Sequence, residues 1–228
     1  MENTLEKLIS TNNRGLFLLD PPTGFGKTTE VVDLIKRFLK GDPCFSGVKR
    51  MFFVTNLLTN LPYKDLLDLL TEEEKQQCFR AKATVDYVLE HFLEVKIDDS
   101  EIVNSKEYQN LHRDIESYQF TKDLLDGEKN TTRKSGHRNT LRILKQKIST
   151  DSEPAFRQFL KNKFIYNKSI QERKNFIKEN GWFTYLYPIC DIEKYKVIFL
   201  STKKFISPID TFRRVPFYAY CDDTLIKD

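Results

Sequence analysis

A short run of glycine, lysine and threonine near the start of the chain has the residue types that hold a phosphate chain. Its members are Pro22, Thr23, Gly24, Phe25, Gly26, Lys27, Thr28 and Thr29. Glycines let backbone N–H groups approach phosphate oxygens, and a helix N-terminus adds partial positive charge. Lys27 can reach the β- and γ-phosphates, and the Thr28 hydroxyl can coordinate Mg²⁺. We therefore expect residues 22–29 to bind ATP with Mg²⁺, and Lys27 to act in catalysis.

The segments on either side of this run have the patterns of a strand and a helix. Residues 15–20 form a continuous apolar run, typical of a strand buried on both faces. After Lys27 the apolar residues recur at helical spacing, and residues 41–43 end that pattern. Residues 51–55 predict a second buried strand. Strand, loop, helix and strand in this order indicate a parallel sheet. The apolar helix positions are Val31, Leu34, Ile35, Phe38 and Leu39.

The strand pattern disappears between residues 71 and 180, where apolar residues keep helical spacing instead. Turn-forming residues at 126–130 and 134–136 predict two loops within this block. A block of this length is far longer than ordinary loops. The predicted helices carry Val85, Val88, Leu89 and Phe92; Tyr108, Leu111, Ile115 and Tyr118; Phe156, Phe159 and Leu160; and Ile170, Phe176 and Ile177.

A strand pattern returns at residues 196–202, which predicts that the sheet resumes after the helical block. The expected fold class is therefore α/β. We assign residues 1–70 and 181–228 to a nucleotide-binding core and residues 71–180 to a helical insertion.

Charge is distributed unevenly along the chain. Residues 1–130 hold 17 Lys and Arg against 23 Asp and Glu, a net charge of −6. Residues 131–180 hold 13 against 4, a net charge of +9, and residues 181–228 hold 7 against 6, a net charge of +1. The basic segment is a candidate surface for nucleic acid, through neutralisation of phosphates. The alternative is a solvated helical face.

The string from Pro22 to Thr28 resembles motif I of superfamily two helicases and translocases, which reads roughly A-x-T-G-x-G-K-T. The more general phosphate-loop pattern has glycine where this chain has Pro21. In the helicase form Gly24 and Gly26 provide the flexibility. Phe25 is larger than the usual residue at its position. The resemblance implies a RecA-like parallel sheet of the P-loop NTPase type, interrupted here by the helical insertion.

Two further segments are similar to helicase motifs that contact the nucleic-acid backbone. Thr55 and Asn56 follow the second predicted strand and resemble motif Ia. Ser201 and Thr202 follow the last predicted strand and resemble motif Ib. Hydroxyl and amide groups suit phosphate oxygens. The resemblance implies that these four residues bind DNA or RNA and that the whole protein is an ATP-dependent helicase or translocase.

Hydrolysis in that family also needs an acidic pair for Mg²⁺ and the attacking water. Asp222 and Asp223 are the candidates, although a solvated turn is the favoured interpretation of this pair. The expectation is an N-terminal fragment with little or no hydrolysis of its own, followed in the full-length protein by a second motor domain. A P-loop kinase or phosphotransferase, and a nucleotide-gated nucleic-acid-binding module without turnover, remain the alternatives.

Composition excludes several other classes of protein. No apolar run approaches the roughly 18–20 residues of a membrane helix, and the N-terminus does not resemble a signal peptide. The four cysteines are far apart, so a disulfide scaffold or a zinc site is not indicated. We expect reduced thiols in a cytoplasmic protein.

Overall fold

Two structural units, one built on a small parallel sheet and one entirely helical, make up the part of the chain that the structure describes. The computed structural model describes residues 27–56, 63–206, 208–209 and 215–216. The predicted strand at 15–20, residues 22–26 of the predicted phosphate loop, and Asp222 and Asp223 lie outside these ranges. Among the described residues, Lys82–Asp191 form the helical unit, and those before Lys82 or from Ile192 onward form the α/β unit.

The elements follow one another along the chain as helices α1–α11 and strands β1–β5. They are α1 (Lys27–Leu39), a 3-10 turn (Pro43–Phe45), β1 (Met51–Thr55), α2 (Tyr63–Leu67), α3 (Glu72–Gln76), β2 (Cys78–Arg80), α4 (Thr84–His91), α5 (Ser100–Val103), α6 (Lys106–Gly127), α7 (Thr131–Lys147), a π turn (Ile148–Ser152), α8 (Glu153–Phe164), α9 (Ile170–Glu179), α10 (Gly181–Leu186), a 3-10 segment (Pro188–Lys194), β3 (Val197–Ser201), α11 (Thr202–Ile206), β4 (Pro208–Ile209) and β5 (Val215–Pro216). None of the described helices combines the length and apolar character that crossing a membrane requires.

The sheet of the α/β unit has the strand order β1-β3-β2, and both neighbours run parallel to β3. Phe53 of β1 stands opposite Phe199 of β3, and Arg80 of β2 stands opposite Phe199 on the other side. Residues 197–200 of β3 are fully buried, as expected of a central strand. Strands are therefore present at both predicted places, Met51–Thr55 and Val197–Ser201, and the α/β fold class is confirmed. Strand β1 is only partly buried, with Val54 exposed, whereas the sequence predicted a buried strand there.

Helix α1 packs on this sheet through the side predicted from its apolar spacing. Leu34, Ile35, Phe38 and Leu39 are buried and cluster with residues of β1 and β3. The ring of Phe38 meets that of Phe45 at 5.6 Å between centroids, in an edge-to-face arrangement. This contact packs the end of α1 against the 3-10 turn that precedes β1.

Asp42 stabilises the tight connection after α1. Its carboxylate accepts hydrogen bonds from the Cys44 backbone N–H at 2.9 Å and from the Arg37 Nε at 2.8 Å. Together these bonds, with the one from Cys44 contributing most, lower the pKa of Asp42 to about 2. Gly41, with φ at +76°, supplies the left-handed residue after the helix.

The helical unit has a hydrophobic core of its own. Helices α4, α6 and α8 contribute Val88, Leu111, Ile115 and Phe156, all with an exposed fraction of 1% or less. Helix α10 adds Phe183 and Leu186 to the same core. Most of the residues named above for the predicted helices lie in this core, which confirms that these apolar patterns belong to helices.

The structure corrects two local predictions. Strand β2 lies at Cys78–Arg80, within the block where the sequence predicted no strand, and it belongs to the α/β unit. Residues 134–136, predicted as a loop, lie inside helix α7. The side chain of Asn130 caps that helix by accepting the N–H groups of Thr132 and Arg133, so the helix starts before the predicted break.

Replacing Gly136, which lies inside helix α7, is expected to stabilise the folded protein. A β-carbon at Gly136 would meet nothing within 4 Å, and the residue is helical. Gly136→Ala should therefore raise the free energy of unfolding by about 0.5–1 kcal/mol in urea denaturation, because alanine loses less backbone entropy in a helix. Gly41→Ala is the matched control and should lower stability, since Gly41 has a positive φ. Equal effects at the two glycines would contradict the helical assignment of residue 136.

Candidate site at the carboxyl edge of the parallel sheet

The predicted phosphate loop leads directly into α1. Lys27 is the first residue of this 13-residue helix, and Thr28 and Thr29 follow in its first turn. Thr29 is exposed. The first N–H groups of a helix have no partner within the helix, and they favour an anion beside them. Pro22, Thr23, Gly24, Phe25 and Gly26 lie outside the described residues.

The last turn of α1 packs against the 3-10 turn that precedes β1, through Phe38 and Phe45, and about 16 Å of helix separates Phe38 from Lys27. A helix that connects two parallel strands is expected to run against their direction, with its N-terminus towards their carboxyl ends. In open parallel sheets, ligands bind in the crevice outside the carboxyl ends of the strands. We therefore expect the start of α1 to lie on the side of the sheet where such a ligand binds.

The two predicted nucleic-acid segments meet at this same edge. Thr55, at the end of β1, stands opposite Ser201, at the end of β3. One residue further along each chain segment, the Thr202 hydroxyl donates a hydrogen bond of 2.7 Å to Asn56 Oδ1. Asn56 is exposed, and the other three are partly buried. The structure thus brings together all four residues that the sequence singled out, across a separation of 146 residues between Asn56 and Thr202.

The turn after β3 orients these groups. The Ser201 hydroxyl accepts the Lys204 backbone N–H at 3.3 Å, in the first turn of α11. Because Thr202 donates to the oxygen of the Asn56 amide, the amide nitrogen keeps two N–H donors, and no described residue accepts from it. A cluster of hydroxyl and amide donors at an exposed strand end can bind an anionic oxygen.

Two charged residues of the α/β unit were not found from the sequence. Arg80 ends β2, and its guanidinium carbon lies 5.7 Å from the centre of the Tyr63 ring. Glu30, in the first turn of α1, lies on the same side of the helix as the buried Leu34 and Phe38. Its Oε1 is buried and has no hydrogen-bond partner among the described residues. Arg80 was missed because strand β2 was not predicted. Glu30 could have been found, since residues 30, 34 and 38 lie on one side of a helix and Glu30 is therefore aligned with two apolar residues.

The basic segment 131–180 proves to be partly neutralised within the helical unit. Lys145 Nζ lies 2.6 Å from Asp86 Oδ1, and Lys147 Nζ lies 2.7 Å from Asp114 Oδ1. Lys163 lies 2.9 Å from Asp99 Oδ2, and this contact lowers the pKa of Asp99. These pairs join the basic segment to the acidic one before it, which explains part of the charge asymmetry of the sequence.

Cysteines and metal ligands add no further site in the described part of the chain. Cys44, Cys78 and Cys190 form no disulfide with one another, and burial raises the pKa of Cys78 to about 11. Among the described residues, no group of three or more His, Cys, Asp or Glu side chains is arranged to hold a metal ion. The one metal ligand predicted from the sequence is the Thr28 hydroxyl, in the first turn of α1.

Comparison with known proteins gives no information about this site. No protein-family model matches this chain, and no curated protein matches it significantly.

Proposed function

We propose that this chain is the ATP–Mg²⁺-binding part of a helicase or nucleic-acid translocase, with a RecA-like core of the P-loop NTPase type. The nucleotide site lies at residues 22–29, and a nucleic-acid site lies at Thr55, Asn56, Ser201 and Thr202. The four nucleic-acid residues lie at the carboxyl edge of the parallel sheet. In this proposal ATP binds at the same edge, so that a change at the nucleotide reaches the nucleic acid through β1 and β3.

The observation that carries this proposal is the hydrogen bond between Thr202 and Asn56. It joins the two segments that resemble helicase motifs Ia and Ib, and it does so at adjacent strand ends with Thr55 opposite Ser201. A phosphotransferase with a small acceptor has no need for a row of donors here. A helicase or translocase needs such a row, because it must bind the backbone of a strand without reading its sequence.

The residues at the start of α1 fit ATP and Mg²⁺. The helix begins at Lys27 and presents Thr28 and Thr29 in its first turn, where unpaired N–H groups favour an anion. Lys27 and the loop amides would stabilise the charge that spreads over the γ-phosphoryl oxygens during transfer. The Thr28 hydroxyl would hold Mg²⁺, which neutralises charge on the β- and γ-phosphates when bound.

Replacing Asn56 with leucine, which has a similar size, should weaken the binding of single-stranded nucleic acid. The change removes the two amide N–H donors and leaves the Thr202 hydroxyl without its acceptor. A hydrogen bond to a charged oxygen is worth about 1.5–3 kcal/mol, so affinity should fall about tenfold or more. Fluorescence anisotropy with a labelled oligonucleotide measures this loss, and ATP affinity should stay unchanged.

Asn162→Leu is the matched control, since Asn162 is an exposed asparagine of helix α8. It should bind nucleic acid like the wild type. If Asn56→Leu and Asn162→Leu both retain wild-type affinity while ATP still binds, the phosphotransferase alternative gains support. Nucleic acid that binds only when ATP is present, and that never stimulates hydrolysis, would instead favour the nucleotide-gated module.

A further inference from the structure

Helix α7, on the surface of the helical unit, has an extreme charge composition. Residues Thr131–Lys147 contain six Lys or Arg and no Asp or Glu, and no residue of the helix is buried. Like charges four residues apart on a helix repel each other, and Gly136 weakens the helix further. Such a composition does not stabilise the helix, and it favours a role in contacts with another molecule.

The six cations separate into two groups. Three of them have a carboxylate partner: Lys145 with Asp86 at 2.6 Å, Lys147 with Asp114 at 2.7 Å, and Arg133 with Glu128 at 4.0 Å. The Lys145 contact raises the pKa of that lysine, and so keeps it charged and in place. Lys145 and Lys147 join α7 to neighbouring helices, and Arg133 lies near a carboxylate of the loop that precedes α7.

The other three cations, Lys134, Arg138 and Arg142, form a surface that we call the basic stripe. They follow one another at intervals of four residues, so they lie along one side of α7, about 6 Å apart along its axis. Within the described ranges none of them has a carboxylate partner. Arg138 and Arg142 are exposed, and the Arg142 guanidinium donates a hydrogen bond of 3.1 Å to the Asn139 side chain.

We propose that the basic stripe is a second nucleic-acid-binding surface, which contacts the phosphate backbone of a duplex. Its positive charge complements a polyanion, and the guanidinium groups of Arg138 and Arg142 have the geometry that binds phosphate. A duplex has a higher density of phosphates than a single strand. Single-strand surfaces combine cations with stacking aromatic rings, and α7 contains no Phe, Tyr or Trp.

This surface goes beyond the proposed function, because it requires neither ATP nor the residues at the strand ends. It lies in the helical unit, whereas the candidate motor site lies in the α/β unit. The protein would then hold a duplex through α7 while a single strand occupies the strand ends. Specific base contacts are not expected, since phosphate contacts carry no sequence information directly.

The test uses the full chain without nucleotide and measures duplex binding over a series of salt concentrations. Replacing Lys134, Arg138 and Arg142 together with glutamine should reduce the slope of log affinity against log salt by about three, one for each phosphate contact. Duplex affinity at low salt should fall about tenfold or more. Circular dichroism establishes that the variant remains folded.

The control replaces three exposed lysines outside α7 with glutamine: Lys122, Lys129 and Lys178. It changes the net charge by the same amount and should leave the slope nearly unchanged. Equal losses in the two triple variants would overturn the proposal in favour of net charge alone, and an unchanged slope in the stripe variant would overturn it outright. A stripe variant that loses single-strand binding as much as duplex binding would overturn the assignment to a duplex. Asn56→Leu tests the proposed function separately.

Discussion

Replacing Lys27 with alanine should weaken the binding of ATP–Mg²⁺ by about ten- to a hundredfold. Lys27 is the first residue of α1 and directly follows the predicted phosphate loop. Its ammonium would make a charge-assisted contact with the phosphates, and contacts of this kind contribute about 1.5–3 kcal/mol. Calorimetric titration of the full chain with ATP in the presence of Mg²⁺ measures this loss.

Lys36→Ala provides the control for this experiment. Lys36 lies in the last turn of the same helix, so the variant removes an identical charge far from the loop. It should bind ATP as tightly as the wild type. If Lys27→Ala and the wild type bind ATP with equal affinity, residues 22–29 are not a nucleotide site and the proposed function fails with them.

The sequence predicted the elements that bury large apolar surfaces. The spacing of Leu34, Ile35, Phe38 and Leu39 identified the buried side of α1, because packing on a sheet requires those positions to be apolar. The unbroken apolar run of β3 identified a strand buried on both faces. The four residues at the strand ends could also be grouped in advance, since the carboxyl ends of parallel strands lie at one edge of a sheet.

Short elements and long-range contacts were not predictable in the same way. Strand β2 has only three residues, too few for a period-two pattern to emerge, and its pairing with β3 joins segments separated by the whole helical unit. Gly136 disfavours a helix at residues 134–136, but the Asn130 cap and the residues that follow outweigh this low helix propensity. The ion pair between Lys145 and Asp86 depends on tertiary packing, so the basic segment alone could not reveal which of its cations are neutralised.

Replacing Glu153 with alanine should produce the largest loss of stability in the helical unit. Glu153 is the first residue of α8, only 2% of its surface is exposed, and its Oε1 lies 3.1 Å from the Arg157 Nε. The Tyr187 side chain is also fully buried, and it lies close enough to Glu153 for the charge of that carboxylate to act on it. Burial, followed by the negative charge of Glu153, raises the pKa of the Tyr187 hydroxyl, which stays protonated at neutral pH.

The expected cost of Glu153→Ala is about 3–5 kcal/mol in the free energy of unfolding, because the change leaves the mostly buried guanidinium of Arg157 without this carboxylate. Urea denaturation followed by circular dichroism measures it. Glu116→Ala is the control, since Glu116 is exposed and pairs with His112 on the same helix, so its loss should cost less than about 1 kcal/mol.

A second variant separates the cost of the unpaired charge from the cost of lost packing. Replacing Glu153 and Arg157 together with methionine removes both charges and keeps most of the side-chain volume, so it should recover most of the stability lost in Glu153→Ala. If the double variant is as unstable as Glu153→Ala, the pair stabilises the unit through its hydrogen bonds and shape. If Glu153→Ala itself lowers the free energy of unfolding by less than about 1 kcal/mol, the Glu153 carboxylate does not contribute substantially to the stability of the helical unit.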